Sequence, residues 1–328
     1  MAELCSPGEL ARRVEAASAR LRGQVLETPL VPCPWLSDEL GADVRWKLEN
    51  VQHTGSFKLR GASHALLAMD DEALAKGVVA ASSGNHGLGL AAAAGRRGVH
   101  AQVFVPSTTP ADKQAAIARL GAEVEVFGDD CVKTEARARE VAAERGVRYV
   151  SPYNDVDVVA GQGTVMQELL AQWPEVDAVY VAVGGGGLIS GMAAYGKEQR
   201  SEIEFVGCSP VASPAMAECV RRGELVDVPC GPTWSDSTAG GVEAGAVTFP
   251  WCRDLVDRFV DVPEDAIELG MRDALSKQHL LVEGAVGVAI AASRADRQRR
   301  GGKVAVIVCG GNLPFELVQR LVCRRGTS

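Results

Sequence analysis

Lys58 lies in Thr54-Gly55-Ser56-Phe57-Lys58-Leu59-Arg60-Gly61-Ala62, near the start of a predicted helix and next to the ring of Phe57. A lysine amine attacks a carbonyl carbon only where its surroundings lower the cost of the neutral form, and Phe57 could face a planar partner. A second stretch, Ala81-Ser82-Ser83-Gly84-Asn85-His86-Gly87, sets two hydroxyls, an amide and an imidazole at a strand-to-helix junction. Backbone N–H groups and hydroxyls there can bind a carboxylate, and Asn85 can donate to a phenolic oxygen. An N-capping serine with a chance histidine would look much the same. The third stretch, Gly184-Gly185-Gly186-Gly187, follows an apolar run and opens a helix near Leu188. Bare backbone N–H groups at a positive helix end suit a phosphate, and four successive glycines carry an entropic cost that a plain turn does not require. A dinucleotide loop fits poorly. The glycine pairs are followed by Ile189 and Ser190 at the third position, and the next strand ends at Cys208-Ser209 without an acid for a ribose.

These loops need a scaffold that brings strand ends together. Short runs rich in Val and Ile at 44–48, 77–81, 100–105, 123–127, 178–183, 204–208 and 303–309 read as strands. Segments 84–97, 111–120, 131–145, 188–199 and 266–277 have helical composition, with Pro110 and Pro263 at expected helix entries. The alternation predicts an α/β fold with open, mostly parallel sheets covered by helices. Ligands of such sheets collect beyond the carboxyl ends of the strands, where all three loops fall. Segments 151–157 and 229–247, rich in Pro, Gly, Ser and Asp, read as loops or domain crossings.

Composition narrows the function classes. With 47% apolar and 23% charged residues in 328, the chain can bury a large core without disulfides or structural metal. A net charge of −8 disfavours nucleic-acid and membrane partners and leaves a small molecule as the expected one. Nine cysteines without a CxxC pair read as reduced thiols. Charges at Glu3, Glu9, Arg12, Arg13 and Glu15 rule out the uncharged core of a signal peptide, so a cytoplasmic location is expected. The arginine-rich stretch 320–325 reads as a solvated helix end.

Four motifs occur in one order: Ser-Phe-Lys-Leu-Arg-Gly-Ala at 56–62, Ser-Ser-Gly-Asn-His-Gly at 82–87, tetraglycine at 184–187, and Cys-Gly-Gly-Asn at 309–312. Thr28-Pro29-Leu30, Lys47-Leu48-Glu49, Ala160-Gly161-Gln162-Gly163-Thr164 and Val282-Glu283-Gly284 extend the pattern over nearly the whole chain. In this the sequence resembles the serine/threonine dehydratase family of fold type II pyridoxal-phosphate enzymes, which includes serine racemase. The resemblance implies a tryptophan synthase β-like fold of two domains, residues 1–69 with 158–328 and residues 70–157, with pyridoxal 5′-phosphate between them. It implies that Lys58 carries the cofactor through an imine, that Gly184, Gly185, Gly186, Gly187 and Leu188 bind its phosphate, that Asn85 meets its phenolic oxygen, that Phe57 lies against its ring and that Cys309 faces its pyridine nitrogen. Ser82, Asn85 and His86 would hold the substrate carboxylate, Ser83 would stand opposite Lys58 as a second catalytic group, and Gly241 would border the site. The expected reaction is β-elimination from L-serine or L-threonine, giving a 2-oxo acid and ammonia, in a homodimer. Racemisation or β-replacement on the same scaffold are the alternatives. Ser209 stands where racemases carry a metal-binding Glu, so no metal site is expected.

Overall fold

The structure, a computed structural model, describes residues 5–299 and 302–323, so Arg324 and Arg325 of the basic tail lie outside the described residues. Ten strands lie in two sheets: β1 (Leu30–Pro32), β2 (Asp43–Leu48), β3 (Val78–Ala81), β4 (Ala101–Val105), β5 (Glu123–Val126), β6 (Arg148–Tyr149), β7 (Ala178–Ala182), β8 (Glu204–Pro210), β9 (Arg258–Val262) and β10 (Lys303–Val308). One sheet runs β1-β2-β10-β7-β8-β9 and the other β5-β4-β3-β6. Only β1 and β2 pair antiparallel; the other neighbours are parallel. Strand β10, in the interior of its sheet, has five consecutive buried residues from Val304 to Val308. That continuous burial is what helices on both faces demand of a parallel strand. The α/β expectation therefore holds. All seven predicted strands are present, whereas β1, β6 and β9 were not foreseen.

Each sheet has its own apolar core. The six-stranded sheet packs Trp46, Tyr180, Phe205 and Val306 into one cluster, and the four-stranded sheet packs Val78, Ala80, Val103 and Val105 with Leu90 into another. Leu59, Ala62 and Leu66 of helix Lys58–Leu67 belong to that second cluster.

Helix Val156–Gln172 is the spine that fixes the site loops relative to each other. Asp155 caps its start, accepting the N–H groups of Asp157 and Val158, so the loop read at 151–157 ends two residues early. A Cβ on Gly161 would fall 2.7 Å from Gly61 Cα, and one on Gly163 would fall 2.7 Å from Gly191 O. Only hydrogen at these positions lets the spine touch the Lys58 helix on one side and the tetraglycine helix, Gly187–Gln199, on the other. Gln162 Oε1 adds a bond from Gly61 N–H at 3.1 Å.

Candidate active site

Lys58 opens its helix half-buried, and its amine donates to Pro152 O at 2.9 Å. Withdrawal from water lowers that amine from the ordinary lysine value to about 8, against the opposing negative field of Glu283. Its helix is anchored by a buried charge network. Arg60 binds both oxygens of Glu49 at 2.7 and 2.8 Å and both oxygens of Glu168 at 2.6 and 2.8 Å. Lys47 donates to Glu168 at 2.7 Å and to Thr28 O at 2.6 Å, and Thr28 Oγ1 donates to Glu49 at 2.6 Å. Thr28, Lys47, Glu49, Arg60 and Glu168 thus form one cluster in which two cations face two carboxylates.

The other predicted residues assemble around Lys58. The Phe57 N–H donates to Cys309 O at 3.1 Å, and Ser56 bridges to Gly310, so the lysine loop lies along the end of β10. Desolvation raises the Cys309 thiol well above its usual range, leaving it neutral. Helix Asn85–Arg97 packs directly on the start of the lysine helix, where a Cβ on Gly89 would lie 3.1 Å from Lys58 C. The hydroxyl-bearing loop is thereby brought to the lysine. Ser82 Oγ accepts Gly84 N–H at 3.2 Å, and Ser83 is partly exposed. Asn85 Nδ2 meets both oxygens of Glu283, at 2.9 and 3.0 Å, while Asn85 Oδ1 accepts from Asn312 Nδ2 at 2.7 Å. Two oxygens of one carboxylate lie too close together to receive divergent bonds, so a single N–H serves both and the second N–H of Asn85 is left for another acceptor.

The His86 ring is turned away from this group. It is buried, its Nε2–H donates to Val150 O at 2.8 Å, and its Nδ1 is enclosed without a partner. Desolvation, with the nearby Lys58 charge, lowers its pKa to about 3 and keeps it neutral. What His86 can offer an anion is its backbone N–H in the first turn of the helix.

The tetraglycine forms the mouth of helix Gly187–Gln199, with Gly186 at φ 82° as its N-cap. Part of the demand for glycine comes from the protein itself. A Cβ on Gly185 would lie 2.3 Å from the Tyr153 ring, one on Gly186 2.6 Å from Cys252 Sγ, and one on Gly184 3.0 Å from the Thr238 backbone. Tyr153 follows Pro152, the residue that receives the Lys58 amine, so cradle and lysine meet through two adjacent residues. Gly241 is exposed in the segment after Thr238.

The family model for pyridoxal-phosphate dependent enzymes matches residues 21–310. The chain belongs to that family. It is 38% identical over 312 residues to an L-threonine ammonia-lyase of Geobacter sulfurreducens, covering 95% of this chain and 77% of that one. Maize serine racemase superposes with a TM-score of 0.90 at 32% identity, covering 95% of this chain and 96% of that one. The processed threonine deaminase isoform 2 of Solanum lycopersicum also superposes with a TM-score of 0.90, at 31% identity, over 96% of this chain and 87% of that one.

The residues present fit the family's cofactor. A desolvated amine suits an aldehyde, the glycine-led helix start suits a phosphoryl group, the spare Asn85 N–H suits a phenolic oxygen, and a neutral thiol suits an uncharged ring nitrogen. Sequence reasoning gave no individual role to Glu283, Tyr153 or Asn312, although the first and last lie in the motifs at 282–284 and 309–312 and Tyr153 in the segment 151–157. Glu283 is buried, and desolvation raises its carboxyl above the usual range despite the bonds from Asn85 and from Asn312 N–H at 2.8 Å. Its place inside the Val-Glu-Gly triplet was the available signal. Residues 151–154 were expected to border the substrate, but the contact of Tyr153 with Gly185, distant in sequence, had no local signal. Ser209 Oγ is buried without a partner, and among the described residues no group of three His, Cys, Asp or Glu side chains could hold a metal ion. No described helix is long and apolar enough to cross a membrane.

Proposed function

We propose that this enzyme removes water from a β-hydroxy amino acid such as L-threonine or L-serine, releasing a 2-oxo acid and ammonia. One observation carries the reading: Lys58, a desolvated lysine paired with no carboxylate among the described residues, lies near both a glycine-led helix start and a hydroxyl-rich helix start. The likeness to an L-threonine ammonia-lyase supports the substrate class. Bound pyridoxal phosphate supplies an electron-accepting ring that makes the substrate's α-hydrogen acidic. In this reading Gly184, Gly185, Gly186, Gly187 and Leu188 hold the phosphoryl group by backbone N–H, Phe57 lies along the ring, and Asn85 donates its second N–H to the phenolic oxygen. Cys309, whose thiol burial keeps neutral, would face the pyridine nitrogen without offering it a charge, which would favour loss of the β-group.

Lys58, once free, takes the α-proton. An amine whose pKa is near 8 is deprotonated in a useful fraction at neutral pH, and Pro152 O is the acceptor that orients it. Ser82 and the backbone N–H groups of Asn85 and His86 hold the substrate carboxylate at the helix start, with Gly241 bordering the side-chain end. Residues 70–157 act as a small domain closing on residues 1–69 and 158–328 to exclude water. The enzyme works as a homodimer in the cytoplasm, a setting that suits its nine free cysteines.

Incubation with L-threonine and L-serine is expected to release 2-oxo acid and ammonia, and Lys58→Ala is expected to abolish both the release and the bound cofactor's visible absorbance. A Lys58→Ala protein that kept them would refute the reading. Racemisation is a second reading, favoured by the accessible Ser83 hydroxyl and the likeness to maize serine racemase. Following D-serine against pyruvate from L-serine separates the two, and pyruvate is expected to dominate.

A further inference from the structure

Residues 239–247 run between the short turn Asp236–Thr238 and helix Thr248–Leu255, and both ends of the segment rest on the glycine cradle. At one end the Thr238 backbone abuts Gly184; at the other Thr248 Oγ1 donates to Gly185 O at 2.6 Å. Ala239, Gly240, Gly241, Ala244 and Gly245 are exposed, and Gly240 and Gly245 take φ values of 118° and 73°. A stretch this rich in glycine and poor in buried side chains has little intrinsic preference for one shape.

Glu243 supplies what the backbone lacks. Its Oε2 accepts from Arg139 Nη2 at 2.5 Å and from Asn154 Nδ2 at 3.0 Å, and its N–H donates to the Tyr153 hydroxyl at 2.9 Å. Val247 N–H donates to Asn154 Oδ1 at 2.9 Å, and Gly240 N–H donates to Ser213 Oγ at 3.1 Å. Arg139 is itself fixed, paired with Glu135 at 2.7 Å and lying 4.3 Å from the Tyr149 ring centre. It belongs to helix Cys131–Arg145, whose buried Ala138, Val141 and Ala142 pack with Val79 and Phe104 of the four-stranded sheet. Glu243 Oε1 is buried, and the Tyr153 hydroxyl, held protonated by burial and by the Glu243 charge, lies against the same carboxylate. An ion pair confined to the surface would leave both carboxylate oxygens in water, so the Glu243 carboxylate is held inward by Arg139, Asn154 and Tyr153 together.

We propose that Glu243 is a positioning residue for the amino-acid substrate, locking strap 239–247 into the wall that meets the substrate side chain and tying it to the layer that carries the Ser82 to His86 loop. The strap is continuous in sequence with the six-stranded layer, yet its middle is attached to the four-stranded one. Movement of that layer therefore carries the wall with it. This inference rests on the elimination reading above, because only there does the strap face a substrate side chain.

The test uses purified holoenzymes of Glu243→Ala, Arg139→Ala and the double variant. KM for L-threonine is expected to rise about tenfold in Glu243→Ala, the weight of one charge-assisted bond, with kcat within about threefold. The double variant is expected to match Glu243→Ala alone, since the two residues act through one contact. Hydrogen exchange in the peptide covering 239–247 is expected to quicken while the bound cofactor's absorbance stays unchanged. An unchanged KM, additive effects, or strap exchange as slow as in the parent would overturn the proposal. Loss of cofactor absorbance in Glu243→Ala would overturn it too, by making the residue part of the cofactor site or of the fold. If the parent enzyme releases no oxo acid, the elimination reading fails, and the exchange measurement still decides whether Glu243 holds the strap.

Discussion

A buried amine resists its own charge, and Lys58 is held in that condition by the packing of its helix against helix Asn85–Arg97 and by a single neutral acceptor, Pro152 O. The unfolded chain keeps the ordinary lysine value of 10.5, whereas the folded chain lowers it to about 8. Between those two values the unfolded state binds more protons, so this residue's contribution to stability improves as pH rises through the window and is fully unfavourable below it. Lys58→Met, similar in shape and uncharged, is therefore expected to stabilise the cofactor-free chain near neutral pH by on the order of 1–2 kcal/mol. The gain should shrink as the pH approaches 10.5. Urea unfolding of both proteins across that range checks the sign, and a gain that grew with pH would contradict it. His86 shows the limit of reading a residue by its type. The ring is committed to Val150 O, so it is the backbone N–H of His86 that remains for an anion, in keeping with the backbone and hydroxyl donors read at this loop.

At the scale of elements, the lysine helix depends on charges that water does not reach. Arg60→Ala would leave Glu49 buried beside Thr28 with its main counter-ion gone. The expected cost is about 3–5 kcal/mol, read as a shift in the denaturation midpoint; a loss below about 1 kcal/mol would show the network to be dispensable. The strands that the sequence made legible are short apolar or Val-bearing runs of four residues or more, such as Ala-Val-Tyr-Val-Ala in β7 and Val-Ala-Val-Ile-Val in β10, both largely buried. Strand β1 is three residues long and ends in Pro32, and β6 has two residues, so neither displays that pattern, whereas β9 reads Arg-Phe-Val-Asp-Val and was passed over. Helix Gly284–Ala295 escaped notice because it is buried along most of its length, with Gly284 and Gly287 in its sequence and no polar stripe to mark a period. The site loops were legible because strand ends followed by glycine and hydroxyl residues are local signals. Glu283 and Tyr153 act across the fold on partners distant in sequence, at separations no local pattern encodes.

Over the whole molecule, the account requires two sheets with separate cores to meet at one amine. Polar contacts join them at the site, among them Asn85 with Glu283 and Asn312, Arg139 and Asn154 with Glu243, and Lys58 with Pro152 O. The lysine helix also joins the apolar core of the four-stranded sheet through Leu59, Ala62 and Leu66, so the amine is fixed to that layer by packing as well as by polar contacts. The spine helix holds the lysine helix and the glycine-led helix in glycine-to-glycine contact, which fixes the distance between the amine and the tetraglycine. The most direct test of that arrangement is to saturate the folded protein with pyridoxal phosphate, reduce it with borohydride and map the modified peptide by mass spectrometry. The pyridoxyl mark is expected on Lys58 alone. A mark on another lysine, or none on a folded and saturated chain, would contradict the account.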